Sequence, residues 1–323
     1  MIHSSHTAFL GRWRIGVVAS CLIALTLIVS ACGNTTSSGA TGFLHPGVMS
    51  WGEDDTGGMP YIAPKDSSNP GKPYYGFEYD IANAMAQQLG VKNQPTQITW
   101  SNWPQGLASE QFDFFMNGLE ITSDTATSAT FSIPYYVYTQ SIIVLKTNTT
   151  IHSFADLAGK TVETGTGYNA QFIMEDYNKT HTPKINIVTT DNPTPFTDLN
   201  THRVDAFFLD TPIAEWYGVN DPSGLYKTVG GFLDPGYYGI GFSRTNKNTP
   251  TLKKEMNRVI SQLWENGTLK HIYQSGFAYN TNANGQPVKQ LYNMWTPQEA
   301  CIGNFVTVGT KTNVAGCPPL IAS

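Results

Sequence analysis

Apolar positions fall into short runs separated by stretches with helical spacing. Gly47-Val-Met-Ser-Trp51 is a compact apolar run and predicts a short buried strand. Tyr79-Asp80 then opens a helix in which Ile81, Met85 and Leu89 recur at i, i+4 and i+8, with Gly90 as its stop. Ile98-Thr-Trp100, Phe112-Asp-Phe-Phe-Met116, Ser141-Ile-Ile-Val-Leu-Lys146, Lys184-Ile-Asn-Ile-Val-Thr189 and Asp205-Ala-Phe-Phe-Leu209 predict further strands. Ser153-Phe-Ala-Asp156 is a capping signature for a short helix. Thr249-Pro250 starts a long helix with Leu252, Met256, Val259/Ile260 and Leu263 on one face and Gly267 at its end. Strands alternating with helices predict mostly parallel α/β sheets, and the length calls for two of them. Ligands bind beyond the carboxyl ends of strands in such sheets. That rule points to Ser50-Trp51, Trp100 to Trp103, Met116 to Thr122, and Leu209-Asp210.

The N-terminus has a different pattern. His3, Arg12 and Arg14 precede an apolar stretch from Ile15 to Ala31 that ends at Cys32, and a polar spacer, Gly33 to Gly42, follows. A membrane span is the alternative, since the stretch is nearly long enough. Val29-Ser-Ala-Cys32 resembles the lipobox of bacterial lipoproteins, where the signal is cut before a Cys that receives the lipid. Residues 1–31 are therefore expected to be an export signal, residues 32–43 a linker, and the protein tethered to a membrane at Cys32 rather than embedded in it.

Composition narrows the classes. The 323 residues are 40% hydrophobic with 16 Phe, 16 Tyr and 7 Trp, ample for buried cores and incompatible with wholesale disorder. Charged residues are only 13%, and the net charge is −5. Losing the signal removes Arg12 and Arg14 and no acid, which takes the net charge to −7. An acidic chain without a basic run beyond its start is no candidate for binding nucleic acid. Of the four cysteines, Cys21 lies in the signal and Cys32 takes the lipid, leaving Cys301 and Cys317 as an even pair in an exported chain. A disulfide is expected, contributing about 3 kcal/mol by loop-closure entropy. A metal site is the alternative, but no His or further Cys lies nearby.

Read in order, several segments resemble extracellular solute-binding family 3, the solute-binding proteins of polar-amino-acid ABC transporters. They are Gly76 to Gly90, Phe112-Asp113, Gly118-Leu-Glu-Ile-Thr122, Phe131-Ser-Ile-Pro-Tyr-Tyr136, Phe154-Ala-Asp-Leu-Ala-Gly-Lys160, Arg203-Val-Asp-Ala-Phe-Phe-Leu-Asp210 and Asn257 to Tyr273. The resemblance spans roughly residues 45–280. It implies an α/β, two-lobed periplasmic-binding-protein fold (type II): each lobe a mostly parallel sheet flanked by helices, two hinge strands, and closure on a ligand by hinge motion. Lobe 1 would comprise residues 44–138 and 237–280, and lobe 2 residues 139–236. Residues 281–323 would form a disulfide-pinned extension.

The resemblance also implies a site. In the family an Arg three residues after the Thr of the first-lobe motif clamps the ligand carboxylate. Here Thr122 is followed at that distance by Thr125. Two positions before Thr122, where the family often has a small hydroxyl, stands Glu120. Asp210 matches the acid that takes the ligand ammonium. The cleft thus keeps its partner for a cation, gains a second acid and loses its anion clamp, unless Glu120 points into a structural network. Asn117 and Gly118 belong to the same first-lobe loop. Trp103 and Trp51 fall at the ligand and at the cleft lip; Trp faces attract cations, although either could equally be core. Met59-Pro-Tyr61 resembles a turn whose Tyr supports the lobe. The Gly loop Thr164-Gly-Thr-Gly-Tyr-Asn169 opens a helix, and Gly167 and Tyr168 are its candidate contacts. Any bound carboxylate would need donors from this loop or from Thr122.

The expected function is capture of a small polar nitrogen compound for an ABC permease by a monomeric lipoprotein, with a cationic amine or modified amino acid slightly favoured over an ordinary α-amino acid. No cofactor and no metal are expected. An enzyme on the same fold, such as a dehydratase, would need a positioned acid and base. His152, His181, His202 and His271 are scattered and have no partner pattern. A sensing protein acting through a membrane partner is the third class.

Overall fold

The computed structural model describes residues 42–56, 59–64, 74–191, 196–220 and 224–275. The predicted signal, Cys32 and its linker, and the tail with Cys301 and Cys317 lie outside them.

The chain begins with β1 (Val48–Glu53), a small hairpin of β2 (Ala63–Pro64) and β3 (Tyr74–Tyr75), α1 (Phe77–Leu89) and β4 (Lys92–Gln97). After α2 (Trp103–Ala108) come β5 (Phe114–Phe115), β6 (Ala129–Phe131) and β7 (Tyr136–Leu145). Then follow β8 (Thr161–Gly165), α3 (Asn169–Thr180), β9 (Asn186–Thr190), α4 (Phe196–Asn200), β10 (Ala206–Asp210) and α5 (Thr211–Asn220). The last elements are β11 (Tyr226–Tyr238), β12 (Gly241–Ser243), α6 (Thr249–Glu265) and α7 (Thr268–Ser275).

Two five-stranded sheets result, in the orders β4-β1-β5-β12-β6 and β11-β7-β10-β8-β9. Each has a parallel core of three strands, β4-β1-β5 in the first and β10-β8-β9 in the second. The remaining two strands of each sheet pair antiparallel. The sheets are therefore more mixed than the pattern predicts. The long strands β7 and β11 run side by side at one edge of the second sheet, with Tyr138 opposite Gly236 and Tyr136 opposite Tyr238. The chain leaves the first lobe along β7 and returns along β11 to β12, which binds the first sheet between β5 and β6.

The apolar stripes go where their periodicity sends them. Ile81, Met85 and Leu89 of α1, and Leu252, Met256, Val259, Ile260 and Leu263 of α6, are buried in one core shared with β1, β5 and β12. Helix α1 starts two residues before the predicted position, because Gly76 is its cap and backbone replaces a side-chain cap: Phe77 N–H donates to the Pro60 carbonyl (3.0 Å) and Glu78 N–H to that of Tyr61 (3.2 Å). Gly90 ends it in the left-handed conformation. The predicted strand at 98–100 is not one. The strand there is β4, Lys-Asn-Gln-Pro-Thr-Gln, and Trp100 instead starts a 3₁₀ turn. Being polar and carrying Pro95, β4 is the edge strand of its sheet, a position that tolerates both features. Ser153 and Asp156 form the predicted capping box over a 3₁₀ turn, Phe154–Leu157.

Two acids of the sequence motifs hold backbone. Asp113 accepts from Ser50 N–H (2.7 Å), Ser50 Oγ (2.6 Å) and Leu44 N–H (2.6 Å). Asp205 accepts from Thr161 N–H (2.8 Å), joining the starts of β8 and β10.

Candidate functional site

The cleft between the lobes is lined by Tyr61, Trp100, Asn117, Gly118 and Glu120 from the first and by Tyr168, Asp210 and Ile213 from the second. The space they enclose is small, about 10 Å³, room for one water at most.

At its centre two carboxyls from opposite lobes meet. Glu120 is 2% exposed and Asp210, the last residue of β10, is 3% exposed. One amide, that of Gln140, reaches both. Gln140, opposite Asp210 on β7, donates to Asp210 Oδ1 (2.7 Å) and more weakly to Glu120 Oε1 (3.4 Å). Glu120 Oε2 accepts from Asn169 N–H at the start of α3 (3.0 Å). Tyr238 OH donates to Asp210 Oδ2, and the Tyr61 and Tyr238 hydroxyls are 2.7 Å apart. Both carboxyls are pushed above the carboxylate range, chiefly by burial, and Glu120 the more because the Asp210 charge lies beside it. Burial thus biases both acids towards their protonated forms. No Lys, Arg or His is among the lining residues.

Tyrosines form the floor. Tyr238 stacks on Tyr138 at 4.7 Å and 10° and meets Tyr61 edge-on at 5.8 Å. Asn169 Nδ2 donates to the Tyr138 hydroxyl (3.1 Å), a second tie between α3 and the hinge. Trp100 and Tyr168 approach edge-on at 5.1 Å across the mouth.

The ten residues singled out from the sequence separate clearly. Asn117, Gly118, Glu120, Tyr168 and Asp210 line the cleft. Gly118 has φ +65°, and a Cβ there would come within 2.8 Å of the Tyr61 ring. Its N–H donates to Glu78 Oε1 (2.7 Å), and Asn117 Oδ1 accepts from Asp54 N–H (3.1 Å). Gly167 lies beside Trp100, with its N–H on Gln171 Oε1 (2.8 Å). Thr122 and Thr125 tie their own turn: Thr125 Oγ1 accepts from Thr122 N–H (3.0 Å) and donates to the Glu120 carbonyl (2.6 Å). They shape the loop that carries Glu120 and do not reach the cavity.

The two tryptophans are corrections. Trp51 is fully buried and donates from Nε1 to Asn93 Oδ1 (2.7 Å), because its position on β1 faces α1 and not the cleft. Trp103 stacks on Phe115 at 5.7 Å and 24° as the first residue of α2. Trp100 takes the cleft position instead: the 3₁₀ turn ending β4, anchored by Trp100 N–H on Asp54 Oδ2 (2.7 Å), presents the ring three residues earlier than expected. Tyr61, expected only to support its lobe, also lines the cavity.

This assignment predicts different phenotypes for two tryptophans. Trp51→Ala should cost about 3–5 kcal/mol of stability and leave ligand affinity nearly unchanged. Trp100 is buried against Phe115 as well as lining the cavity. Trp100→Ala should therefore cost stability too and also weaken ligand binding about tenfold, the loss of one aromatic wall. Thermal melts with binding titrations on both variants check this.

Buried acids beside the site give a further expectation. Glu78 Oε1 accepts from Gly118 N–H and from Tyr135 OH (2.5 Å), yet burial pushes its pKa to about 8. Glu53, fully buried near Asp54 and Asp55, is likewise raised to about 8. The folded chain keeps these protons, whereas the unfolded chain releases them near pH 4.3. The stability they contribute is complete below about pH 4.5 and is lost as pH rises through about 8. The thermal midpoint should fall by roughly 5–10 °C between pH 5 and pH 8.5, and Glu78→Gln should flatten that dependence.

Comparison with known proteins agrees with this architecture. Residues 57–278 match the bacterial extracellular solute-binding proteins, family 3. ABC transporter arginine-binding protein 1 of Escherichia coli (strain K12) is 26% identical over 217 residues, 66% of this chain and 86% of that protein. Probable amino-acid-binding protein YxeM of Bacillus subtilis (strain 168) is 29% identical over 272 residues, 82% of this chain and 95% of that one. The solved structure of an ancestral arginine-binding protein bound to arginine aligns with a TM-score of 0.64 and 28% identity over 72% of this chain and 98% of its own. These relatives are binding proteins, extracellular or periplasmic by family, and among the described residues no helix is long and apolar enough to cross a membrane. With its two α/β lobes and the cleft between them, the chain belongs to the bacterial extracellular solute-binding proteins, family 3, and has the type II periplasmic-binding-protein fold.

Proposed function

We propose that this chain is the lipid-anchored, monomeric solute-binding component of an ABC importer, tethered through Cys32 at the outer face of the cytoplasmic membrane. It captures a small polar nitrogen-containing solute, an amino acid, modified amino acid or amine, between its lobes and passes it unchanged to a permease. The observation that carries the reading is the meeting of Asp210 and Glu120 from opposite lobes in a cavity walled by Trp100 and Tyr168. Acids that face each other across a cleft attract a cation, and a guest bound to both lobes favours closure by its differential affinity for the closed state. Residues 44–138 with 237–280 would move as one lobe, residues 139–236 as the other, about β7 and β11.

Native mass spectrometry of the protein isolated from its host, with tryptophan fluorescence titrations against amino acids, betaines and polyamines, tests the reading. The expected result is one small nitrogen compound per chain, recovered unaltered, and a Cys32→Ser protein that leaves the membrane fraction. Recovery of a chemically changed product, or a protein that binds none of these compounds, would overturn it.

A further inference from the structure

The backbone donors of the two loops at the cleft are already engaged by the protein itself. Along the Gly loop, Thr166 N–H donates to the Thr190 carbonyl (2.9 Å) and Gly167 N–H to Gln171 Oε1 (2.8 Å). Tyr168 N–H donates to the Gly165 carbonyl (3.2 Å) and Asn169 N–H to Glu120 Oε2 (3.0 Å). On the first lobe, Gly118 N–H is held by Glu78 and Thr122 N–H by Thr125 Oγ1. Gln140 Nε2 turns to Asp210 and Glu120. A carboxylate entering this space would find no cation and would be buried beside two acids, which is strongly unfavourable.

Acceptor capacity, in contrast, remains. The four carboxyl oxygens of Glu120 and Asp210 are buried and each meets one donor, from Gln140, Tyr238 or Asn169, which leaves each able to accept a second bond. Rings of Trp100, Tyr168 and Tyr61 surround them. The Glu120 carboxylate also lies against the first N–H of α3, where a helix N-terminus favours negative charge. Glu120 thus brings from the first lobe, covalently attached, the anion that the second lobe's helix would otherwise accept from a guest.

We propose that the cleft is built for a small organic cation without a carboxylate, an amine, diamine or guanidine, whose N–H groups reach Glu120 and Asp210 and whose carbon skeleton packs on Trp100 and Tyr168. This names the class of solute and rests on the capture reading above. Glu120 is then a specificity residue. It pairs with the cation and fills the α3 terminus, so an α-amino acid with the same side chain is refused.

Matched pairs that differ only by the carboxylate test this directly: agmatine against arginine, cadaverine against lysine, histamine against histidine. Calorimetric titration of the full chain at pH 7.5 should show at least one amine bound 30-fold or more tighter than its amino acid. Glu120→Ala, which frees the Asn169 N–H, should lower that preference at least tenfold; Glu120→Gln serves if the alanine variant melts below the assay temperature. A merely structural Glu120 would alter both partners of a pair alike and leave the ratio unchanged, which overturns the proposal. If amino acids bind and their amines do not, the proposal fails while the capture reading stands. Heat from none of the six compounds also overturns it, and the copurified compound then judges the capture reading separately.

Discussion

Asp210→Asn is expected to weaken ligand binding by at least about 30-fold while shifting the stability of the unliganded protein little, since the lost acceptor and the relieved burial of charge oppose one another. The two halves of the prediction have one cause. Asp210 Oδ2 accepts from the Tyr238 hydroxyl and Oδ1 from Gln140 Nε2, so both oxygens serve as acceptors. An asparagine must aim its NH₂ at one of these donors and supplies no charge to a cation. Removing one partner of a buried charged contact costs about 2–5 kcal/mol in binding, a factor of roughly 30 to several thousand. Without a ligand, the same acid lies buried beside Glu120 and is raised by its burial, so neutralising it relieves a cost. Fluorescence titration and thermal melting on one preparation separate the effects. Loss of affinity together with a collapsed melting temperature would mean that Asp210 is structural.

Gly76→Ala is expected to lower stability by about 4 kcal/mol, a fall of about 10 °C in thermal midpoint. Gly76 has φ +129°, and a Cβ there would lie 2.1 Å from the Tyr61 carbonyl oxygen, 2.5 Å from its carbon and 2.8 Å from Ile62 N. All three are backbone atoms. The segment cannot retreat without giving up the carbonyls of Pro60 and Tyr61 that cap α1. The change should also reach the cleft, since Tyr61 meets Tyr238, which holds Asp210. Gly47→Ala is the control: φ is +79° but nothing lies within 4 Å of the added carbon, so it should cost only the backbone strain of about 1 kcal/mol.

What could be read before folding follows from how local each signal is. The stripes of α1 and α6 encode their buried faces within four-residue spacings, and both helices bury those residues. β10 was legible as a five-residue apolar run because it is buried on both faces at the middle of its sheet. β4 was not, because an edge strand of polar residues has no apolar period to detect. Trp103 displaced Trp100 in the reading for a related reason: one 3₁₀ turn shifts which indole faces the cleft, and its anchor is Asp54, distant in sequence. Glu78 in the first turn of α1 carries no apolar signal, yet it is buried as the acceptor for Gly118 and Tyr135. Glu120 was visible as an acid where a hydroxyl is usual. Its contact with the start of α3 joins residues 49 apart and exists only in the folded chain.

These threads meet in the claim that a cation sits between Glu120 and Asp210. Its most direct test is calorimetric titration of the full chain with agmatine at pH 7, repeated in phosphate and in Tris. The ionisation enthalpies of the two buffers differ, so the difference in observed heat counts the protons exchanged on binding. Burial holds both acids above their ordinary range and a bound cation favours their charged forms, so binding is predicted to release protons. Saturable binding with no proton released, or with uptake of one, would contradict the account.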